Sequence, residues 1–129
     1  MTTSNTLDQR RAVDSLTRVK QLKKSGDPGK YASYVKSLPA SILQNGLGQA
    51  LATLLAAAKG NTSDAHYVLY SHLHQWLCSD SDDAVYRKAG DVLEALIQHD
   101  EKLYLHAQAE SLAYLEWLKK FAVAYLSSE

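Results

Sequence analysis

The chain has 129 residues, 46% of them hydrophobic, with 14 Lys/Arg balancing 14 Asp/Glu. That length reads as one domain, residues 1–129, able to bury a core without a metal or disulfide staple, and the single Cys78 excludes an intrachain disulfide. No apolar run approaches the ~20 residues that cross a bilayer, and Met1 to Thr6 is polar with no signal-peptide core, so the expected protein is cytoplasmic with no membrane partner.

The first expected helix covers about residues 7–25, capped by Thr6 or Ser4, with Val13, Leu16, Val19 and Leu22 as its apolar stripe. Gly26-Asp-Pro-Gly29 ends it in a turn. Tyr31 to Ser37 predicts a short helix that stops because Leu38 precedes a proline. Pro39 then opens a longer helix that runs to about Lys59, with Gly60 as its left-handed cap. Asn61-Thr-Ser63 caps a helix over 63–78, with Leu69, Leu73, Trp76 and Leu77 facing inward. Asp82 caps another over 83–98, whose apolar spacing includes Val85, Tyr86, Ala89, Val92, Leu93, Leu96 and Ile97. After His99-Asp100 comes a final helix of some 25 residues ending near Leu126. The tails, 1–5 and 127–129, are expected to fray. No stretch alternates with period two, so the fold class is all-α, a compact bundle of five to six helices.

One segment breaks its own local rules. The helix expected after Pro39 contains Asn45-Gly46 and Gly48, residues that usually end helices, and each interior glycine costs roughly 1 kcal/mol relative to alanine. At about 100° per residue, Leu43, Leu47, Ala50, Leu51, Leu54 and Ala58 share a core face, while Ser41, Asn45, Gly48, Gln49, Ala52 and Ala56 share the opposite one. That second face is small, hydrogen-bonding and uncharged, unlike an ordinary solvated helix face. Two readings stay open: it packs on another helix of the same domain, or it lets a partner approach closely.

The zero net charge conceals a split. Residues 1–60 carry nine Lys/Arg and three Asp/Glu, and residues 61–129 carry five and eleven, so the halves stand at +6 and −6. Such a split provides a basic face for an anionic partner, attraction within the fold, or head-to-tail contact between copies.

Catalytic constellations do not emerge. His72 and His74 are about 200° apart on their helix, and His99 and His106 lack the further ligands of a recognised site, so no metal is expected. Cys78 follows Trp76-Leu77 and reads as a small buried hydrophobe. Asp80, Asp82 and Asp83 lack the glycine and final glutamate of a calcium loop. No nucleophile-elbow, zincin or phosphate-loop pattern occurs. Aromatic rings can stack on bases, but Tyr67, Tyr70, Trp76, Tyr114, Trp117, Phe121 and Tyr125 mostly follow helical spacing and read as core and core-edge residues. The basic residues are more informative. Arg11 and Arg18 share a helical face with Asp14 between them, and Lys20, Lys23 and Lys24 complement the end of the first helix. Lys36 and Lys59 flank the glycine-bearing helix, and Lys119-Lys120 follow Trp117-Leu118 with Glu116 four residues before Lys120.

Lys36-Ser-Leu-Pro-Ala-Ser-Ile42 followed by Asn45-Gly-Leu-Gly-Gln-Ala-Leu51 resembles the small subunit of the type III-B (Cmr) CRISPR RNA-guided complex. The opening Leu7-Asp-Gln-Arg-Arg11-Ala, the segment Tyr70-Ser-His-Leu-His-Gln-Trp76-Leu77 and the segment Ala109 to Ala122 continue the resemblance over nearly the whole chain. The resemblance implies a non-catalytic subunit that needs no cofactor. Its implied partners are the backbone and large Cmr subunits, guide RNA, target RNA and further copies of itself stacked along the complex. Lys and Arg would then touch phosphates without reading sequence, since base pairing with the guide supplies specificity. The expected RNA-binding residues are Arg11, Arg18, Lys36, Lys119 and Lys120, and the expected protein-docking residues are Asn45, Gly46, Gly48 and Gln49. The alternative is a helical scaffold or adaptor with no direct RNA contact.

Overall fold

The computed structural model describes residues 5–22 and 27–126. Among these it has six α-helices and no strand: α1 (Leu7–Leu22), α2 (Pro28–Asn45), α3 (Leu47–Ala58), α4 (Ala65–Cys78), α5 (Val92–Gln98) and α6 (Glu101–Leu126). The all-α expectation is therefore met. The fraying expected of the tails, and the end of the first helix with Lys23 and Lys24, lie outside the described residues.

α1 opens with a capping box. Gln9 N–H donates to Thr6 Oγ1 at 3.0 Å, and Thr6 N–H donates to Gln9 Oε1 at 2.8 Å. Its expected stripe is partly displaced: Val19 is fully buried and Leu22 packs against the core, but Val13 is 59% exposed and Ser15 is buried instead. The displacement has a polar cause, because Arg11 and Asp14 both reach side chains of α6 and rotate α1 toward that contact.

The largest departure from expectation lies around Pro39 and Gly46. Asp27 caps α2 by accepting from Lys30 N–H, with Pro28 in the first turn, so α2 begins earlier than Tyr31. It then passes straight through Pro39. Proline removes one helical hydrogen bond, but Val35, Leu38 and Ile42 are buried on either side of it, and that packing holds the helix together. The break comes at Gly46 instead, with φ 88° and ψ 158°, a backbone region open to glycine. Gly46 N–H closes α2 on the Ile42 carbonyl at 2.7 Å, and the Gly46 carbonyl opens α3 by accepting from Ala50 N–H at 3.0 Å. One residue thus ends one helix and starts the next. The break also ends the expected continuous face: Leu47, Ala50, Leu51, Leu54 and Ala58 are buried, but Leu43 is 70% exposed.

α3 ends with Lys59 (φ 53°) and Gly60 (φ 80°) both left-handed. Asp64, rather than the Asn61–Ser63 segment, caps α4 by accepting from His66 N–H at 2.8 Å. The helix expected over 83–98 shrinks to α5. Residues before it instead fold back to satisfy the open carbonyls at the end of α4: Tyr86 N–H donates to Leu77 O at 2.8 Å, and Lys88 N–H reaches Cys78 O and Ser79 O. Asp91 then caps α5 through Glu94 N–H and also accepts from Tyr70 Oη at 2.7 Å. This leaves Ile97 79% exposed, outside the core assigned to it by spacing.

α6 is the spine. It packs along α1 and α2, while α4 packs on α2 and α3. Ala107, Tyr114, Leu115, Leu118 and Ala122 of α6 are fully buried, in one core cluster with Leu51, Leu69, Leu73 and Leu77.

Candidate nucleic-acid interface

The five expected RNA-binding cations fall into two groups. Arg11 lies between α1 and α6 in a two-pronged pair with Glu110, Nε to Oε2 and Nη2 to Oε1, both at 2.7 Å, and a further contact to Asp8 at 3.0 Å. Glu110 is 5% exposed and also accepts from Trp76 Nε1 at 2.8 Å. The carboxylate therefore holds Arg11 firmly charged, raised above its ordinary value despite burial. Arg18 contacts Asp14 at 3.3 Å and pairs with Gln75. Asp14 in turn accepts from Tyr114 Oη at 2.5 Å. Both arginines are thus committed to partners within the chain, and they hold α1 to α4 and α6.

The lysines behave differently. Lys36 from α2 and Lys119 and Lys120 from α6 line one groove of about 540 Å³, floored by Val123 and Ala124. Lys119 and Lys120 diverge by about 100° on α6, and the α2–α6 contact brings Lys36 alongside them. Lys120 is paired at its surface with Glu116 at 3.3 Å. Neither Lys36 nor Lys119 has an ion-pair partner among the described residues, and Lys36 is exposed. Three ammonium groups at the rim of an apolar groove create a local positive potential on a neutral protein. Their long stems can cover the apolar floor while the charges reach an anion.

The residues expected to dock protein divide as well. Tyr104 and Gln108, one turn apart on α6, reach the α2–α3 break. Gly48 N–H donates to Tyr104 Oη at 2.8 Å, and Leu47 N–H donates to Gln108 Oε1 at 2.9 Å. These two groups satisfy the open donors at the start of α3, where Gly46 has no side chain to do so. A Cβ at Gly46 would sit 3.1 Å from Tyr104 Oη, and one at Gly48 3.3 Å. The close approach that the glycines permit is filled from inside the chain at these two positions. Asn45 and Gln49 remain exposed beside the bend.

Several contributors were missed from sequence. Asp8 and Trp117 are joined by an indole N–H bond of 2.9 Å across 109 residues, and Trp117, Asp8, Glu116, Ala113 and Lys120 line a second cavity of about 400 Å³ beside the groove. The Trp117 N–H, then Arg11, keep the Asp8 carboxyl below its ordinary range. Ala107, Ser111, Tyr114 and Leu118 are buried along α6, with Glu110 at the edge of that stripe. Its distant partner was not legible.

The chain is similar to proteins of one family. The model of the CRISPR-associated protein family Cas_Cmr5 matches residues 7–125. The CRISPR system Cmr subunit Cmr5 of Thermus thermophilus is 31% identical over 115 residues, covering 89% of this chain and 91% of the relative. The crystal structure of a CRISPR-associated Cmr5 family protein from the same organism superposes with a TM-score of 0.75 at 28% identity, covering 95% of this chain and 100% of that one.

Proposed function

This chain belongs to the CRISPR-associated Cmr5 family, and from that premise we propose that it is a non-catalytic, RNA-contacting subunit of a type III-B CRISPR Cmr complex. Its partners are the backbone and large Cmr subunits, guide RNA and target RNA, with further copies of the chain stacked along the guide–target duplex in cytoplasmic antiviral defence. The observation that carries the RNA reading is the convergence of Lys36, Lys119 and Lys120 on one groove, two of them without a carboxylate partner among the described residues. Ammonium groups on flexible stems suit phosphates held by charge alone, and the guide supplies the sequence specificity. Arg11 and Arg18 serve this site indirectly, Arg11 by fixing α1 to α6 and Arg18 by fixing α1 to α4. Asn45 and Gln49 are the exposed docking residues, and Gly46 and Gly48 set the bend that presents them.

Purification through a tag on this chain tests the class. Recovery of guide RNA together with large RNA-binding subunits supports it. Recovery of those subunits with no loss of RNA when Lys36 and Lys119 are reversed in charge would instead favour the scaffold reading.

A further inference from the structure

Asn45-Gly46 is the one Asn-Gly pair in the chain, while Asn5 and Asn61 are each followed by threonine. Glycine after asparagine leaves the side-chain amide carbon open to attack by the next main-chain nitrogen, whereas a branched Cβ obstructs that approach. Asn45 is the last residue of α2, is exposed, and makes no side-chain hydrogen bond among the described residues. Gly46 leaves the helical path at φ 88° and ψ 158°. The restraint on the pair is the closing bond of α2, in which Gly46 N–H donates to Ile42 O at 2.7 Å. Just beyond it, α6 grips the start of α3: Gly48 N–H donates to Tyr104 Oη at 2.8 Å and Leu47 N–H to Gln108 Oε1 at 2.9 Å.

We infer that Asn45 is a self-modification site, where the main chain converts the side-chain amide to an acid without an enzyme, and that the grip of α6 on the α2–α3 junction sets the rate. Gly46 N attacks Asn45 Cγ. The N–Cγ bond forms, the Cγ–Nδ2 bond breaks, and Nδ2 leaves as ammonia carrying the Gly46 amide proton. Solvent water then opens the cyclic imide. Opening at Cγ gives aspartate in an ordinary chain, and opening at the main-chain carbonyl gives isoaspartate, with the Cβ methylene moved into the main chain. The balance is one water consumed and one ammonia released, with nothing oxidised or reduced. Attack requires Gly46 N–H to leave Ile42 O and Asn45 to turn out of its helical conformation. That turn swings Leu47 and Gly48 away from Gln108 and Tyr104, so opening the junction breaks the grip as well. Either product brings a negative charge to the exposed bend, within residues 37–58 that hold no Lys, Arg, Asp or Glu. The reaction needs only the free chain, whatever docks at Asn45.

The full chain is held folded in warm, mildly alkaline buffer, and in parallel unfolded in urea. Trypsin releases residues 37–59 as one peptide whose only asparagine is Asn45, so mass spectrometry follows the conversion and chromatography separates aspartate from isoaspartate. The folded chain should convert more slowly than the unfolded one, to a mixture of both products, with the rate rising with pH because the attacking nitrogen must lose its proton. Tyr104→Phe keeps the ring and removes the hydroxyl, and should speed conversion of the folded chain by about fivefold, the factor that one ordinary hydrogen bond represents. Val19→Ala weakens the core from α1, outside the junction, and should leave the folded rate unchanged. A folded chain whose peptide stays intact while the unfolded chain converts overturns the site. Conversion to aspartate alone overturns the ring route, and conversion that persists in Asn45→Gln places the reaction elsewhere. Val19→Ala accelerating as much as Tyr104→Phe, or Tyr104→Phe leaving the rate unchanged, overturns control by the junction.

Discussion

Arg11→Met separates an internal arginine from an RNA-binding one. Glu110 is 5% exposed and receives three hydrogen bonds, two from Arg11 at 2.7 Å and one from Trp76 at 2.8 Å. Removing the guanidinium leaves a buried carboxylate with the indole N–H alone, and breaking such a pair from one side typically costs about 3–5 kcal/mol. At about 4 °C per kcal/mol for a domain of this size, the midpoint of thermal unfolding should fall by roughly 12–20 °C. Urea unfolding followed by tryptophan fluorescence measures the same change, with an unaltered m-value expected. The double variant R11M/E110L removes both charges and should recover much of the loss, leaving about 1–2 kcal/mol for the orphaned Trp76 N–H. A single R11M variant within about 1 kcal/mol of the parent, or a double variant worse than the sum of the two singles, would refute this picture of the seam. Once folded, R11M should retain the RNA affinity of the parent.

Three further outcomes follow from the geometry. Burial first, then Arg18, holds His72 down to about 4 from its ordinary 6.5, and its Nδ1 faces Tyr31 Oη at 2.6 Å. A base depressed in the folded state contributes stability that is full above pH 6.5 and lost as pH falls from there to about 4, roughly 3 kcal/mol in all; urea midpoints across that window should show it, and His72→Gln should flatten the slope. Gly46→Ala should destabilise by about 1–3 kcal/mol, because its φ of 88° is strained for any side chain and the new Cβ would crowd Tyr104 Oη. Gly48→Ala, inside α3 at ordinary helical φ, should come out near neutral in the same denaturation assay, helix propensity offsetting the tighter contact with Tyr104.

Much of the fold was legible because it depends on local periodicity. The apolar spacing within α4, the His99-Asp100 boundary before α6 and the inward residues of α3 all came from the chain itself. The errors share one cause, a local signal outvoted by distant packing. Pro39 is a strong local stop, yet Val35, Leu38 and Ile42 are buried around it and α2 continues. Residues 83–91 have helical spacing, yet their backbone is used to close the end of α4. The candidate site divides in the same way. That Lys119 and Lys120 stand near Trp117 is a matter of sequence, but that Lys36 joins them depends on α2 lying along α6. Arg11 carried an equal claim as a basic residue, and its true partner, Glu110, is 99 residues away. Charge counts locate cations, and only the fold shows which of them are already paired.

Whether the lysine groove holds phosphate is decided by the salt dependence of RNA binding in the assembled complex. Replacing Lys36, Lys119 and Lys120 together with glutamate (K36E/K119E/K120E) in every copy should weaken RNA binding at low salt. It should also lower the steepness of log affinity against log salt by roughly 0.7–0.9 for each phosphate no longer neutralised, with complex assembly intact. An intact complex whose affinity and salt slope both match the parent would contradict this, since three cations around one groove would then be holding no phosphate.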